Sequence, residues 1–165
     1  ALQRLGVDAR ALVEEIAVAY MRNRDSTIRP FPGAIEALRW LRRRGVRLAL
    51  ITNGEGTMQR GKIERFGLAS LFDCILIEGE VGLGKPDERM YRRALEQMGV
   101  GPEEAWMVGD NLAWDVLAPQ KLGIAGIWLD YAGSGLPADS QVRPDRIIRS
   151  LAELVDDAEA HLTGS

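Results

Sequence analysis

The sequence predicts an α/β domain built on a mostly parallel sheet flanked by helices. Two observations carry this. Short β-rich apolar runs alternate with stretches of helical periodicity, and the 165 residues are 46% hydrophobic and 27% charged, enough for a sizeable core in one domain, or one domain plus a small appendage. Such alternation implies right-handed crossovers, and ligands then sit beyond the carboxyl ends of the strands. There are no internal repeats and no low-complexity segment.

The elements follow in order. After Asp8, a fitting N-cap, "ARALVEEIAVAYMRNR" has apolar residues at helical spacing. "PFPG" (30–33) breaks that pattern and reads as a hinge. A second helix, "AIEALRWLRRR", ends at Gly45, and "VRLALIT" (46–52) is a buried strand. The order continues as helix (57–66), strand (73–77), loop (78–86), helix (87–98), strand (105–109), helix (111–122) and strand (124–129). A polar Gly/Pro loop leads to a short strand at "RII" and a last helix from about Ser150.

Charge and cysteine content narrow the function classes. A net charge of −3 and the lack of a basic block argue against nucleic acid as partner. The short run "LRRRG" (41–45) closes a helix, where cations suit the negative end of the helix dipole. The single cysteine, Cys74, lies inside "CILI" and reads as a buried thiol. No apolar run has the length of a membrane span, and nothing resembles a signal peptide, so a cytoplasmic location without membrane contact is expected. The oligomeric state is open.

Three strand ends hold the informative residues. "LALITNGEG" offers a hydroxyl at Thr52, an amide at Asn53 and the small Gly54, all suited to an oxyanion; it is also compatible with a plain Asn-Gly turn. "EVGLGKPDERMY" sets Lys85 between Gly84 and Pro86, either as a surface lysine or as a cation aimed at a phosphoryl group. "WMVGDNLAWDVL" sets Asp110 after Gly109 and Asp115 five residues on. An all-oxygen pair of this kind suits a hard cation such as Mg²⁺ completed by water and phosphate, and the alternative is an N-cap followed by an exposed helical carboxylate.

Taken together, "LITNG", "GKPD" and "VGDNLAWD" resemble the second, third and fourth motifs of the haloacid dehalogenase superfamily of phosphohydrolases. "TMQRGKIERFGLASLFDCILIEGEVGLGKPDERMYRRALEQMGV" is similar to its branch of nucleoside monophosphate and sugar-phosphate phosphatases, with likeness over about 30–155. The resemblance implies a Rossmann-like core over 30–165 lacking its first strand, and part of a helical cap over 1–29. It implies a Mg²⁺-dependent phosphohydrolase of a small phosphorylated metabolite, working through an aspartyl-phosphate. Thr52, Asn53, Gly54 and Lys85 would bind the phosphoryl group, with Thr52 and Lys85 taking part in catalysis. Asp110 and Asp115 would serve the metal, Asp115 by holding metal-bound water or by orienting Lys85. Lys85 is expected to act by charge, so that Lys85→Met silences turnover with little loss of stability.

The resemblance breaks at two places. The first motif, a strand ending Asp-x-Asp-Gly-Thr that supplies the nucleophile, is not among these residues; "IWLDYAGS" around Asp130 has Ala132 where the second carboxylate belongs. The native protein is therefore expected to carry that strand upstream, and residues 1–165 alone to be inactive and prone to aggregate. A non-catalytic relative that binds phosphorylated ligands or a partner is the second reading, and the metal-independent aliphatic-halide branch a third. The other departure is Pro119, which cannot donate to the carbonyl of Asp115, so the helix beside the site is expected to be bent or short.

Overall fold

The computed structural model describes residues 28–155. The chain divides into two units, Ala1–Pro30 and Phe31–Ser165, and the second is the subject here. The helix expected after Asp8, and the cap segment as far as residue 27, lie outside the described residues.

Helix α1 (Ala34–Arg43) buries Ala34, Ala37 and Leu41, a spacing that keeps one apolar stripe against the core. Arg42 and Arg43 occupy its last turn, as the basic run implied, and Gly45 (φ 80°) turns the chain out. The expected strand at 46–52 is shorter, β1 (Ala49–Thr52), because the preceding residues bond elsewhere. Val46 N–H donates to Leu41 O at 3.1 Å, and Leu48 N–H to Asp73 Oδ2 at 2.8 Å. That N–H, with the Arg42 guanidinium 3.0 Å away, holds the Asp73 carboxyl below its ordinary range.

Helix α2 (Gly56–Arg65) leads to β2 (Cys74–Ile77), which pairs parallel with β1 from Ala49 opposite Cys74 to Thr52 opposite Ile77. A single helical turn, α3 (Glu78–Val81), replaces the start of the expected loop and ends at Gly82 (φ 74°). Helix α4 (Glu88–Met98) follows, capped by Asp87, whose carboxyl Arg89 pulls down to about 2.

Strand β3 (Trp106–Gly109) runs into a wide π-helical turn (Leu112–Leu117) and the short α5 (Ala118–Gln120). Pro119 explains the expected irregularity: lacking the N–H that would reach Asp115 O, it sits where the helix widens and Ala118 N–H bonds back to Ala113 O. Strands β4 (Ala125–Leu129) and β5 (Arg146–Ile148) complete a parallel ladder, Trp106–Gly109 facing Ala125–Trp128 and Ile127–Leu129 facing Arg146–Ile148. The last helix is described only over 153–155.

The parallel sheet falls into two pieces, β1-β2 and β3-β4-β5. Among the described residues no strand pairs with the second edge of β1 or of β3. Leu50, Ile51, Met107 and Val108 along those edges are only half-buried, whereas β4 is buried from Gly126 to Leu129. Helix α4 spans the seam. Its Met90 and Ala94 pack with Cys74 and Leu76, while Tyr91 packs with Ala118 and Ile124, and Ile51 touches both clusters. Burying a side chain such as Met90 contributes about 1.5–3 kcal/mol, so α4 is a principal tie between the two pieces. Cys74 is buried and free as expected; its thiol donates to Gln97 Oε1, and burial pushes its pKa up. No helix among the described residues is long and apolar enough to cross a membrane.

Candidate active site

The loop after β1 is fixed by hydrogen bonds on every side. Glu55 caps α2, accepting from Thr57 N–H at 2.9 Å and Met58 N–H at 2.7 Å, which lowers its pKa. The Asn53 carboxamide faces the loop that carries Lys85. Its Nδ2 donates to Lys85 O at 2.7 Å, and Lys85 N–H donates to its Oδ1 at 2.8 Å. Gln59 Nε2 donates to Asn53 O at 2.8 Å. Gly54, at φ 121°, gives its N–H to Glu78 Oε2 at 2.8 Å and accepts Gly79 N–H at 3.0 Å. Only glycine fits at 79, where a Cβ would come within 2.6 Å of Gly56 N.

Lys85 and Asp115 meet across the seam. Lys85 Nζ lies 2.6 Å from Asp115 Oδ1, and the two side chains are only 12% and 4% exposed. Asp115 Oδ2 accepts Asn111 N–H at 3.1 Å. The carboxylate lies directly over Gly109, where any Cβ would overlap it; this is the physical reason for glycine at the end of β3. Asp115 thus has one oxygen on the Lys85 ammonium and the other on a backbone N–H. Tyr91 lies underneath, its hydroxyl donating to Trp114 O, and burial raises its pKa far above the usual range.

Asp110 is exposed at the end of the same strand, its backbone held by Trp128 Nε1, which donates to Asp110 O at 2.9 Å. It opens on a cleft of about 640 Å³ bounded by Asn111, Trp128 and the loop 134–138. Asp130, weighed above as a displaced first motif, is instead the organiser of that loop. It is 4% exposed and accepts Ser134 N–H at 3.0 Å and Gly135 N–H at 2.8 Å, which hold its carboxyl below the ordinary range.

The structure thus links Asn53 to the loop of Gly54 and to Lys85, and Lys85 to Asp115, with Thr52 ending β1 and Asp110 directly after β3. Glu78 was missed. It follows the last residue of β2 at once, the same kind of position that singled out Asp110, and the signal was lost because 78–86 reads as a loop.

The sequence model of the haloacid dehalogenase-like hydrolases matches residues 2–123. The chain belongs to that family. It is 45% identical over 144 residues to a phosphoserine phosphatase of Thermus thermophilus, covering 85% of this chain and 55% of the relative. It is 30% identical over 156 residues to a glyceraldehyde 3-phosphate phosphatase of Pyrococcus furiosus, covering 89% of this chain and 65% of the relative. Among solved structures, the magnesium-bound putative HAD-hydrolase YfnB of Bacillus subtilis superposes with a TM-score of 0.77 at 25% identity, covering 94% of this chain and 67% of that one. This chain therefore spans little more than half of the first of these relatives.

Proposed function

We propose that this chain is the core of a Mg²⁺-dependent phosphohydrolase acting on a small phosphorylated metabolite in the cytoplasm. The observation that carries the reading is the Lys85–Asp115 pair, a nearly buried ammonium whose backbone is bonded to Asn53, the residue that follows β1. Relatives that cover most of this chain bear phosphatase names, for phosphoserine and for glyceraldehyde 3-phosphate.

The donor set fits Mg²⁺. Among the described residues no three His, Cys, Asp or Glu side chains cluster as a closed cage, but Mg²⁺ commonly takes one or two carboxylates and keeps water and substrate phosphate as its other ligands. Asp110, exposed and with its backbone fixed, would hold it, and the ion when bound supplies positive charge to the transferring phosphoryl group. Asp115 has both oxygens committed within the protein and would act through Lys85 or through metal-bound water.

The nucleophile is an aspartate on a strand seated between the open edges of β1 and β3, as the family resemblance implies. Its carboxylate oxygen attacks phosphorus, and the P–O bond to the leaving alcohol breaks. That alcohol oxygen takes a proton from a second aspartate two residues along, and water then hydrolyses the acyl phosphate. Thr52 Oγ1 donates to the phosphoryl group, and Lys85 Nζ neutralises charge on the nucleophile and that group.

The test is a phosphate-release screen of phosphorylated metabolites against the complete native protein, with and without chelator. Release that requires added Mg²⁺ is expected. Phosphate binding without release from any substrate would support the non-catalytic reading instead.

A further inference from the structure

We infer that Asn53 is a positioning residue: its carboxamide clamps the backbone of Lys85 and sets the ammonium, and does not itself touch the phosphoryl group. This rests on the phosphohydrolase reading above. By sequence, the side chain of Asn53 is a donor to the transferring group. In the structure both of its polar atoms are used by one residue, Nδ2 by Lys85 O at 2.7 Å and Oδ1 by Lys85 N–H at 2.8 Å. A paired contact of this kind reproduces one rung of a strand ladder between segments that have no ladder of their own.

The clamp is braced at both ends. On one side Gln59 Nε2 holds Asn53 O at 2.8 Å, and Glu78 and Gly79 hold both polar backbone groups of Gly54. On the other, Lys85 Nζ ends at Asp115 Oδ1, while the other oxygen of that carboxylate accepts Asn111 N–H and the group is seated on Gly109. Lys85 is thus held at its backbone by the loop after β1 and at its tip by the π-helical turn after β3. The two tethers join the sheet pieces that share no strand ladder among the described residues. Releasing the backbone tether lets the ammonium wander by an ångström or more, and displacement of a charge on that scale costs about 100-fold in rate.

The test uses the complete native protein with Asn53→Ala, and Asn53→Asp as the milder variant should the first fail to fold. Two readouts apply. Hydrogen exchange at the Lys85 amide should quicken at least tenfold while the amides of β1 keep their protection; unchanged exchange there overturns the inference. This readout needs no activity, so it stands even if the protein hydrolyses nothing. The second readout is the affinity for inorganic phosphate, measured in the wild-type and Lys85→Met backgrounds. A positioning residue weakens phosphate about tenfold in the first background and changes it less than twofold in the second. An equal loss in both backgrounds means direct contact and overturns the proposal.

Discussion

Lys85→Met separates charge from packing at the centre of the site. By sequence alone the change should spare stability, since methionine keeps much of the stem. The ion pair alters that expectation. Asp115 is 3% exposed overall, and its Oδ1 is left facing a thioether once the ammonium 2.6 Å away is gone. Removing one partner of a buried pair costs about 3–5 kcal/mol, because the other is left as an uncompensated buried charge. At about 2–4 °C per kcal/mol for a chain of 150–250 residues, the melting temperature should fall by about 6–20 °C. Adding Asp115→Asn removes the stranded charge while its side-chain oxygen still accepts Asn111 N–H, so the double variant should regain more than half of the loss. Thermal and urea melts of the four proteins of the cycle provide the measurement. A Lys85→Met protein as stable as wild type, or a double variant no better than the single one, would refute the reasoning. Turnover should be lost in both variants.

Three further outcomes follow from the same geometry. Asp110→Asn should abolish Mg²⁺-dependent phosphate release with a melting shift of under about 0.5 kcal/mol, as for an exposed side chain; undiminished release would remove Asp110 from the metal. The carboxyls of Asp73, Asp130 and Asp145 are all held below their ordinary range, so the stability they contribute is present above about pH 4 and drains away as pH falls through the lower folded values. Asp130→Asn should flatten that acid limb in pH-dependent melts, and an unchanged limb would remove Asp130 from it. Residues 1–165 expressed alone should be inactive and should associate through the open edges of β1 and β3, and a monomeric, cooperatively melting phosphatase from that segment would overturn the strand assignment.

Among the described residues, the alternation was legible because the apolar runs form the parallel strands and the periodic stretches at 34–43 and 88–98 bury their apolar faces. Where sequence and structure part, a local hydrogen bond decides. Asp73 claims Leu48 N–H and shortens β1, and Gly82 closes α3, a turn too short to show helical periodicity. Pro119 announced an irregular helix through its missing donor, but not that the chain would answer with a π-helical turn. Within the site, residue types suited to anions and metals could be read from strand ends. Their partners could not. Asn53 and Lys85 lie 32 residues apart, and nothing in "TNG" reveals whether the amide turns toward a ligand or toward the backbone of another loop.

If the site takes a phosphate ester, as proposed, the negative charge near Lys85 must be offset. The Asp115 carboxylate already holds the Lys85 ammonium, and Asp110 and Glu78 add two more carboxylates directly after β3 and β2. A phosphate dianion brought to such a place meets repulsion of about 4 kcal/mol for each unit charge at 4 Å in a partly screened setting. The nucleophile strand would add two more carboxylates. A divalent cation on Asp110, as proposed, would offset that charge and leave Lys85 with Asp115. Lys85 would then add an oriented donor to the charge it contributes. An ammonium has three N–H groups; Asp115 takes one, and two can be divided between the attacking carboxylate and an equatorial phosphoryl oxygen. Direction then counts as well as charge in the proposed role, and the chain holds this lysine at both its backbone and its tip.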